Sequence, residues 1–353
     1  MSEASLDLLV VGSGLEAQLA LAKLSEIQFG GTLHHLPTVV PESERFEFAD
    51  GSRLKKEPRA PAKARLVDIW GKSVLTLKLP AISVYRSSRF SPPDSVKSLA
   101  QGLRVSRTAK SDRGILVTLS DGSELLCQGV VFADGLESQA KRLWDKPARL
   151  KRDPGTVKVW SFVTADLIDT KVWEFRWAPA KSVELVPLPD SELLVKLRFK
   201  SPHGGDLTVS ELEALFSEFG SDMTALFENL GQESVASHEE KTLAESVFSP
   251  AAGCLALGRA AWATNPMLTL GWLGRLVDRQ LNILADQLRV QSLNPESFEA
   301  QCRECLEEFS ECEQFVRKQL HNDSALLRPI RNLILSLVPN SILVGKLKGR
   351  LYL

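Results

Sequence analysis

The sequence predicts an α/β protein: a βαβ unit opens the chain, an antiparallel sheet interrupts it, and helices close it. Three observations carry that reading. Residues 6–11 form a near-continuous apolar run that leads straight into Gly12-Ser13-Gly14-Leu15-Glu16-Ala17 and a helix-forming stretch. Between 157 and 200, four strand-like runs follow one another with no helical pattern between them. From 271 onward the patterning is mostly helical.

Length and charge narrow the classes further. The chain has 353 residues, enough for about two domains with a substantial core. Its 43 Lys+Arg against 44 Asp+Glu leave a net charge of −1, so no bulk attraction to nucleic acid is expected. Five cysteines, an odd and sparse set, point to a reducing compartment rather than a disulfide framework. The N-terminal apolar run stops at Gly12 and has no basic segment before it, and no other run approaches the roughly 18 residues of a membrane span. A soluble, cytoplasmic protein is the expectation.

In chain order, the first strand should cover residues 6–11 and suit burial on both faces of a parallel sheet. A helix from the Gly loop through Leu24 ends before Gly30-Gly31, and Thr32–Leu36 supplies a second strand. Residues 37–66, with Pro37, Pro41, Pro58 and Pro61, read as loop with one short strand at most. Ile115–Ser120, Asp121-Gly122 and Glu124–Leu126 signal a hairpin closed by a two-residue turn. Gly129–Ala133 is a buried strand ending at Asp134-Gly135.

Next come the antiparallel runs Val157–Ala165, Val172–Trp177, Val183–Val186 and Leu193–Phe199. Thr208-Val209-Ser210-Glu211 has the spacing of a capping box opening a helix through Phe219. Leu255-Ala256-Leu257 forms a short strand before Gly258. Helices follow over 271–290, 296–320 (Asn294 as N-cap, Pro295 in the first turn) and 323–338.

The loop Gly12-Ser13-Gly14-Leu15-Glu16-Ala17 has the GxGxxA form between strand and helix. Its glycines let the backbone approach a diphosphate, and the helix start offers unpaired N–H groups. The acidic ribose partner expected about 20 residues later is missing; His34 and His35 stand there. Adjacent residues on a strand point to opposite faces, so the two rings cannot share a metal. No metal site is expected from any His, Cys, Asp or Glu spacing.

Two further segments carry a resemblance. Val130-Val131-Phe132-Ala133-Asp134-Gly135, with Ser138 and Lys141-Arg142 after it, resembles the strand and A-D-G motif of FAD-dependent aromatic hydroxylases. Gly258-Arg259-Ala260-Ala261-Trp262, then Pro266, Gly271 and Asp278, resembles the second FAD motif of that family without a gap. With the Gly loop, three motifs occur in the family's order. The family is the p-hydroxybenzoate-hydroxylase-like flavoprotein superfamily, and the ubiquinone-biosynthesis hydroxylases are its nearest-looking branch.

The resemblance implies an α/β fold: a Rossmann-like FAD-binding domain interrupted by an antiparallel-sheet substrate domain, with C-terminal helices. The boundaries it suggests are 1–150 for the first part of the FAD-binding domain, including a shortened 37–100 segment, and 151–250 for the substrate sheet. Residues 251–290 then return to the FAD-binding domain, and 291–353 form the helical region.

It implies hydroxylation of an aromatic or polyprenyl-aromatic small molecule, with FAD as cofactor, NAD(P)H as co-substrate and O2 as oxygen source. The cofactor-binding candidates are Gly12, Ser13, Gly14, Leu15, Glu16, Ala17, His35, Asp134, Gly135, Gly258, Arg259, Pro266 and Gly271. No catalytic side chain is assigned, because the cofactor carries the hard step.

The chain departs from the family at Arg259, where an Asp or Asn contacts the ribityl–phosphate chain, at Trp262 in place of His and at Thr269 in place of Gly. Two outcomes for Arg259 are open: it pairs with the diphosphate, or its bulk fills the phosphate cavity. The second would leave a non-catalytic family member, without flavin, that acts as a binding or scaffold protein.

Trp173, Phe175 and Trp177 alternate along one strand face, with Trp160 on a neighbouring strand and Trp262 in the second motif. They are candidates for an aromatic substrate pocket, and core packing fits them equally well. Cys302, Cys305, Phe309 and Cys312 fall on one helical stripe, as a buried helix face would. The apolar tail with Arg328, Arg331, Lys346, Lys348 and Arg350 has the character of a docked helix with a basic edge, or of a peripheral membrane contact serving a lipidic substrate.

Overall fold

The computed structural model describes residues 7–27, 31–39, 46–50, 63–67, 73–78, 82–86, 91–143, 150–151, 156–165, 172–178, 181–188, 191–201, 207–228, 230, 236–239, 242–243, 247–251, 253–262, 272–290 and 292–320. The expected helix at 323–338, the basic tail, Thr269, Pro266 and Gly271 lie outside them.

A five-stranded sheet holds the first domain. Its members are β1 (Leu8–Val11), β2 (Leu33–Leu36), β7 (Lys97–Ser98), β11 (Gly129–Phe132) and β19 (Cys254–Ala256), in the order β19-β11-β1-β2-β7. Every pairing in it is parallel, with Val10 opposite Val131 on one side and His35 on the other. All four residues of β1 are fully buried, as its unbroken apolar run requires. Each such Leu or Val contributes roughly 1.5–3 kcal/mol by leaving water.

Helix α1 (Leu15–Ser25) packs against α4 (Trp272–Arg289), which in turn packs on α5 (Pro295–Leu320). The start of α5 follows from its sequence: the Asn294 side chain accepts the Ser297 N–H at 3.0 Å, and Pro295 occupies the first turn. No helix among the described residues is long and apolar enough to cross a membrane.

A three-stranded meander of β8 (Val105–Ser111), β9 (Gly114–Leu119) and β10 (Glu124–Cys127) joins β7 to β11. The β9–β10 turn has three residues instead of the expected two. Gly122 N–H donates to Leu119 O, Leu119 N–H donates to Ser123 O, and Gly122 takes φ 85° at the end of the loop. A right-handed turn followed by a left-handed glycine is the next commonest hairpin solution, and Asp-Gly supports it equally well.

The second sheet contains seven strands, β17-β13-β16-β15-β14-β4-β5. Its centre is the expected antiparallel set: β13 (Thr156–Ala165), β14 (Trp173–Ala178), β15 (Lys181–Leu188) and β16 (Glu192–Ser201). β17 (Ala236–Glu239) borders β13. The other edge and a separate two-stranded ladder correct the reading of 37–66 as loop. β3 (Phe46–Asp50) pairs with β6 (Ile82–Arg86), and β4 (Lys63–Val67) lies parallel to β14 and carries β5 (Ser73–Lys78).

The physical reason is a charge clamp. Glu174 accepts from both Arg65 on β4 and Arg176 on β14, and Arg176 reaches Asp222 at 2.6 Å and Phe219 O at 3.0 Å. A five-residue strand with Lys63 and Arg65 breaking its apolar residues finds its partner through ion pairs as well as apolar contact. β12 (Leu150–Lys151) and β18 (Thr242–Leu243) form a small separate ladder.

Helices α2 (Val209–Phe216) and α3 (Ser221–Glu228) cover one face of this sheet. The expected capping box is complete: Thr208 Oγ1 accepts from Glu211 N–H, and Glu211 accepts from Thr208 N–H at 2.7 Å. α2 stops at Phe216, and the span to Phe219 continues as a 3-10 turn.

Candidate functional site

The sheet order brings three turns together. Gly12 follows β1, Asp134 follows β11 and Gly258 follows β19, and these strands are neighbours. Ligands of open α/β sheets bind outside these carboxyl ends. Two glycines are fixed by close approach. A Cβ on Gly12, at φ 137°, would lie 2.3 Å from Ala133 O, and one on Gly258, at φ 53°, would lie 2.7 Å from Glu16 Cγ. Gly12 therefore presses the first loop onto the Asp134 turn, and Gly258 presses the second motif onto α1.

The first turn of α1 is open. Gly14 is its N-cap and supplies no side-chain hydrogen bond, so the N–H groups of Leu15, Glu16 and Ala17 have no acceptor within the helix. Ser13 Oγ instead accepts from Thr38 N–H at 3.1 Å, tying the loop to the chain beyond β2.

His35 lies beneath this loop, 1% exposed. Its Nε2 sits 2.6 Å from Gly12 O, and a carbonyl only accepts, so Nε2 carries the proton; Nδ1 is 3.4 Å from Ser98 Oγ. Burial lowers its pKa, opposed by the bond to Gly12. The ring expected at a ribose is thus engaged in fixing the Gly loop.

Asp134 Oδ2 accepts Gln139 N–H at 2.8 Å, while Oδ1 is buried with no hydrogen-bond partner. Burial pushes its carboxyl up to about 6, against the bonds from Gln139 and Ser138. Gly135 beside it takes φ 75° and is buried.

The second motif is filled from within. Arg259 Nε lies 2.9 Å from Glu16 Oε1 and its terminal nitrogen 3.2 Å from Oε2. Both side chains are buried, Glu16 completely. Arg259 N–H also points at Glu16 Oε1, at 3.5 Å, and Gly258 N–H donates to Gln280 Oε1 at 2.9 Å. The remaining Gln280 nitrogen, Nε2, is buried without a partner. Sequence reasoning named Glu16 only for its backbone N–H. A buried-acid role has a signal, since a Glu inside an otherwise apolar first turn needs a cation.

Of the aromatic candidates, Trp160, Trp173 and Trp262 do not come together. The β13–β16 register sets Trp160 opposite Leu197, on the face covered by α2 and α3, where it joins Phe162 and Phe216 in the core. Trp173 lies on the opposite face, so the expected grouping of the two is corrected by one residue of register. Trp177 is four residues beyond Trp173 on the same strand. Trp262 packs in the core of the parallel-sheet domain.

Trp173 is fully buried, stacks on Phe175 at 5.6 Å and donates Nε1–H to Glu184 at 3.0 Å. Arg198 pairs with Glu184 at 3.3 Å, and Lys196 is buried on the same face. These three charges were missed because alternating charges on a strand usually mark its wet side.

Burial raises the Cys127 and Cys254 thiols to about 12 and about 11, leaving them unreactive at neutral pH. Cys302 is buried in the core, with Cys305 packed against it. Among the described residues, no group of three His, Cys, Asp or Glu is placed to hold a metal.

No protein-family model and no curated protein matches the chain. Solved structures do. HpxO of Klebsiella pneumoniae, complexed with FAD and uric acid, is 16% identical at a TM-score of 0.78, over 97% of this chain and 95% of that one. The salicylate hydroxylase substrate complex is 12% identical at 0.74, over 98% and 96%. PqsL of Pseudomonas aeruginosa, described as a probable FAD-dependent monooxygenase, is 13% identical at 0.71, over 94% and 99%.

The chain has the fold of the FAD-dependent monooxygenases. Against that fold, the open α1 turn and the orphaned Asp134 Oδ1 fit a diphosphate and a hydroxyl-bearing chain. The second-motif turn offers the fold less, because Glu16 and Gln280 already hold its Arg259 and Gly258 N–H groups.

Proposed function

We propose that this protein is a divergent FAD-dependent monooxygenase that hydroxylates an aromatic small molecule, with NAD(P)H as reductant. The observation that carries the reading is the uncapped first turn of α1 beside the unpartnered Asp134 Oδ1, at the carboxyl ends of adjacent parallel strands. HpxO and salicylate hydroxylase, which share the fold, support an aromatic substrate.

In this reading the Leu15–Ala17 N–H groups hold the diphosphate, aided by the helix dipole. Asp134 Oδ1 accepts from a cofactor hydroxyl, and His35 keeps the Gly12 carbonyl out of the phosphate's way. Bound flavin supplies the electron transfer and oxygen activation, while the protein orients the ring and excludes water. A ring approaching Trp173 must displace Phe175 or the Glu184 contact, which makes that face of the sheet a site of induced fit. The basic apolar tail extends the proposal to a lipidic substrate taken from a membrane surface.

The test begins with the visible spectrum of the purified protein and a titration of FAD followed by flavin fluorescence. Saturable quenching is expected, followed by NAD(P)H and O2 consumption that depends on an added phenol or related aromatic acid. A protein that leaves flavin fluorescence unchanged at saturating FAD overturns the reading and restores the non-catalytic alternative.

A further inference from the structure

We propose that Glu16 is a built-in competitor for the cofactor's diphosphate, so that binding at the second motif is an exchange of anions on Arg259 rather than the filling of an open cradle. This inference rests on the flavin reading above.

The argument starts from position. Glu16 is the second residue of α1, and its fully buried carboxylate sits against the turn that follows β19. A carboxylate removed from water needs a cation and full hydrogen bonding. Arg259 supplies both, side-on through Nε and one terminal nitrogen, in the paired geometry that suits carboxylate and phosphate alike.

The backbone of the turn is also committed. Gly258 N–H goes to Gln280 and Arg259 N–H points to Glu16, while Ala260 and Ala261 N–H groups bond back to Leu257 and Gly258. The first motif presents donors to an incoming anion, whereas the second presents a pair already neutral. A diphosphate laid across both turns gains Arg259 only when the Glu16 carboxylate gives way. Space does not relieve the conflict, since Gly258 already lies against both Glu16 and Val277.

Glu16→Gln retains the side chain's shape and one acceptor but removes the competing charge. The expected result is at least tenfold tighter binding of both FAD, read by fluorescence, and ADP, read by calorimetry, relative to the unaltered full-length protein. Tighter ADP binding with no FAD binding by either form supports the exchange and overturns the flavin reading. Equal or weaker binding of ADP by Glu16→Gln overturns the exchange, whatever the unaltered protein does with FAD. Glu16→Asp, which keeps the charge but draws it back by one methylene, serves if Glu16→Gln does not fold. A smaller gain of the same sign is expected from it, and no gain overturns the proposal.

Discussion

The turns after β1 and β19 lie at the same edge of one sheet, each behind a glycine pressed against a neighbour, yet they treat their backbone donors in opposite ways. The first leaves three N–H groups open at the start of α1. The second has its donors and its Arg259 taken by Glu16 and Gln280. A motif's sequence fixes where a turn runs; its ability to hold an anion depends on which side chains from elsewhere reach it first. Here the decisive partner is 243 positions away in the chain.

The largest expected effect follows from breaking the closed side. Arg259→Ala leaves Glu16 charged and buried without a cation, and loss of one member of a buried pair costs about 3–5 kcal/mol. Urea unfolding of the apo protein should show that loss as a lower midpoint with an unchanged slope. An unchanged midpoint would mean that the pair is solvated in solution. On the open side, Gly12→Ala places a Cβ against Ala133 O and forces a left-handed alanine. Backbone strain of this kind costs about 1–3 kcal/mol, and FAD affinity should fall with the displaced loop.

What could be read from sequence divides along the same line. Burial-driven elements were legible: β1 and β11 from unbroken apolar runs, the four strands of 156–201 from successive strand-like runs with no helical pattern between them, and α2 and α5 from their caps. The carboxyl-edge position of Gly12, Asp134 and Gly258 was legible too, since each follows a short apolar strand.

Features built from long-range charge were not. β4 joins β14 through Arg65 and Glu174, 109 positions apart, and nothing local in Lys63–Val67 marks it as a sheet member. That Trp160 and Trp173 point to opposite faces was not legible, because strand membership does not fix register, and a shift of one residue inverts every side chain. The buried Glu184, Lys196 and Arg198 were not singled out, because alternating charges on a strand usually mark its wet side.

Asp134 gives a smaller effect with a distinctive pH dependence. Its folded pKa of about 6 lies above the ordinary carboxylate value of 3.8. The folded form therefore holds a proton that the unfolded chain releases between those values, and stability rises as pH falls through about 6 toward 4. Above pH 6 the ionised carboxyl is a cost. Asp134→Asn keeps a carbonyl acceptor for Gln139 N–H and removes that cost, so its apo melting temperature should exceed the parent's at pH 8 and match it near pH 4.5. Equal melting temperatures at pH 8 would show that Asp134 is hydrated in solution. Flavin affinity should move the other way, because the amide replaces a charged acceptor at the open side of the site.

His35 supplies the smallest and opposite slope. Burial holds its folded pKa below 6.5, so the unfolded chain binds the proton first as pH drops. Its contribution is complete above about pH 6.5 and is lost as pH falls below that value. Protonation also removes the lone pair that Nδ1 offers to Ser98 Oγ and puts a charge under the Gly loop, while the Nε2 donation to Gly12 O survives. His35→Gln retains a donor for that carbonyl and cannot titrate. In an Asp134→Asn background, which removes the opposing slope, the parent His35 should lose stability as pH falls below 6.5, and His35→Gln should lose less. Parallel pH profiles for the two would place the proton elsewhere and free His35 from its role as the buried prop of the open turn.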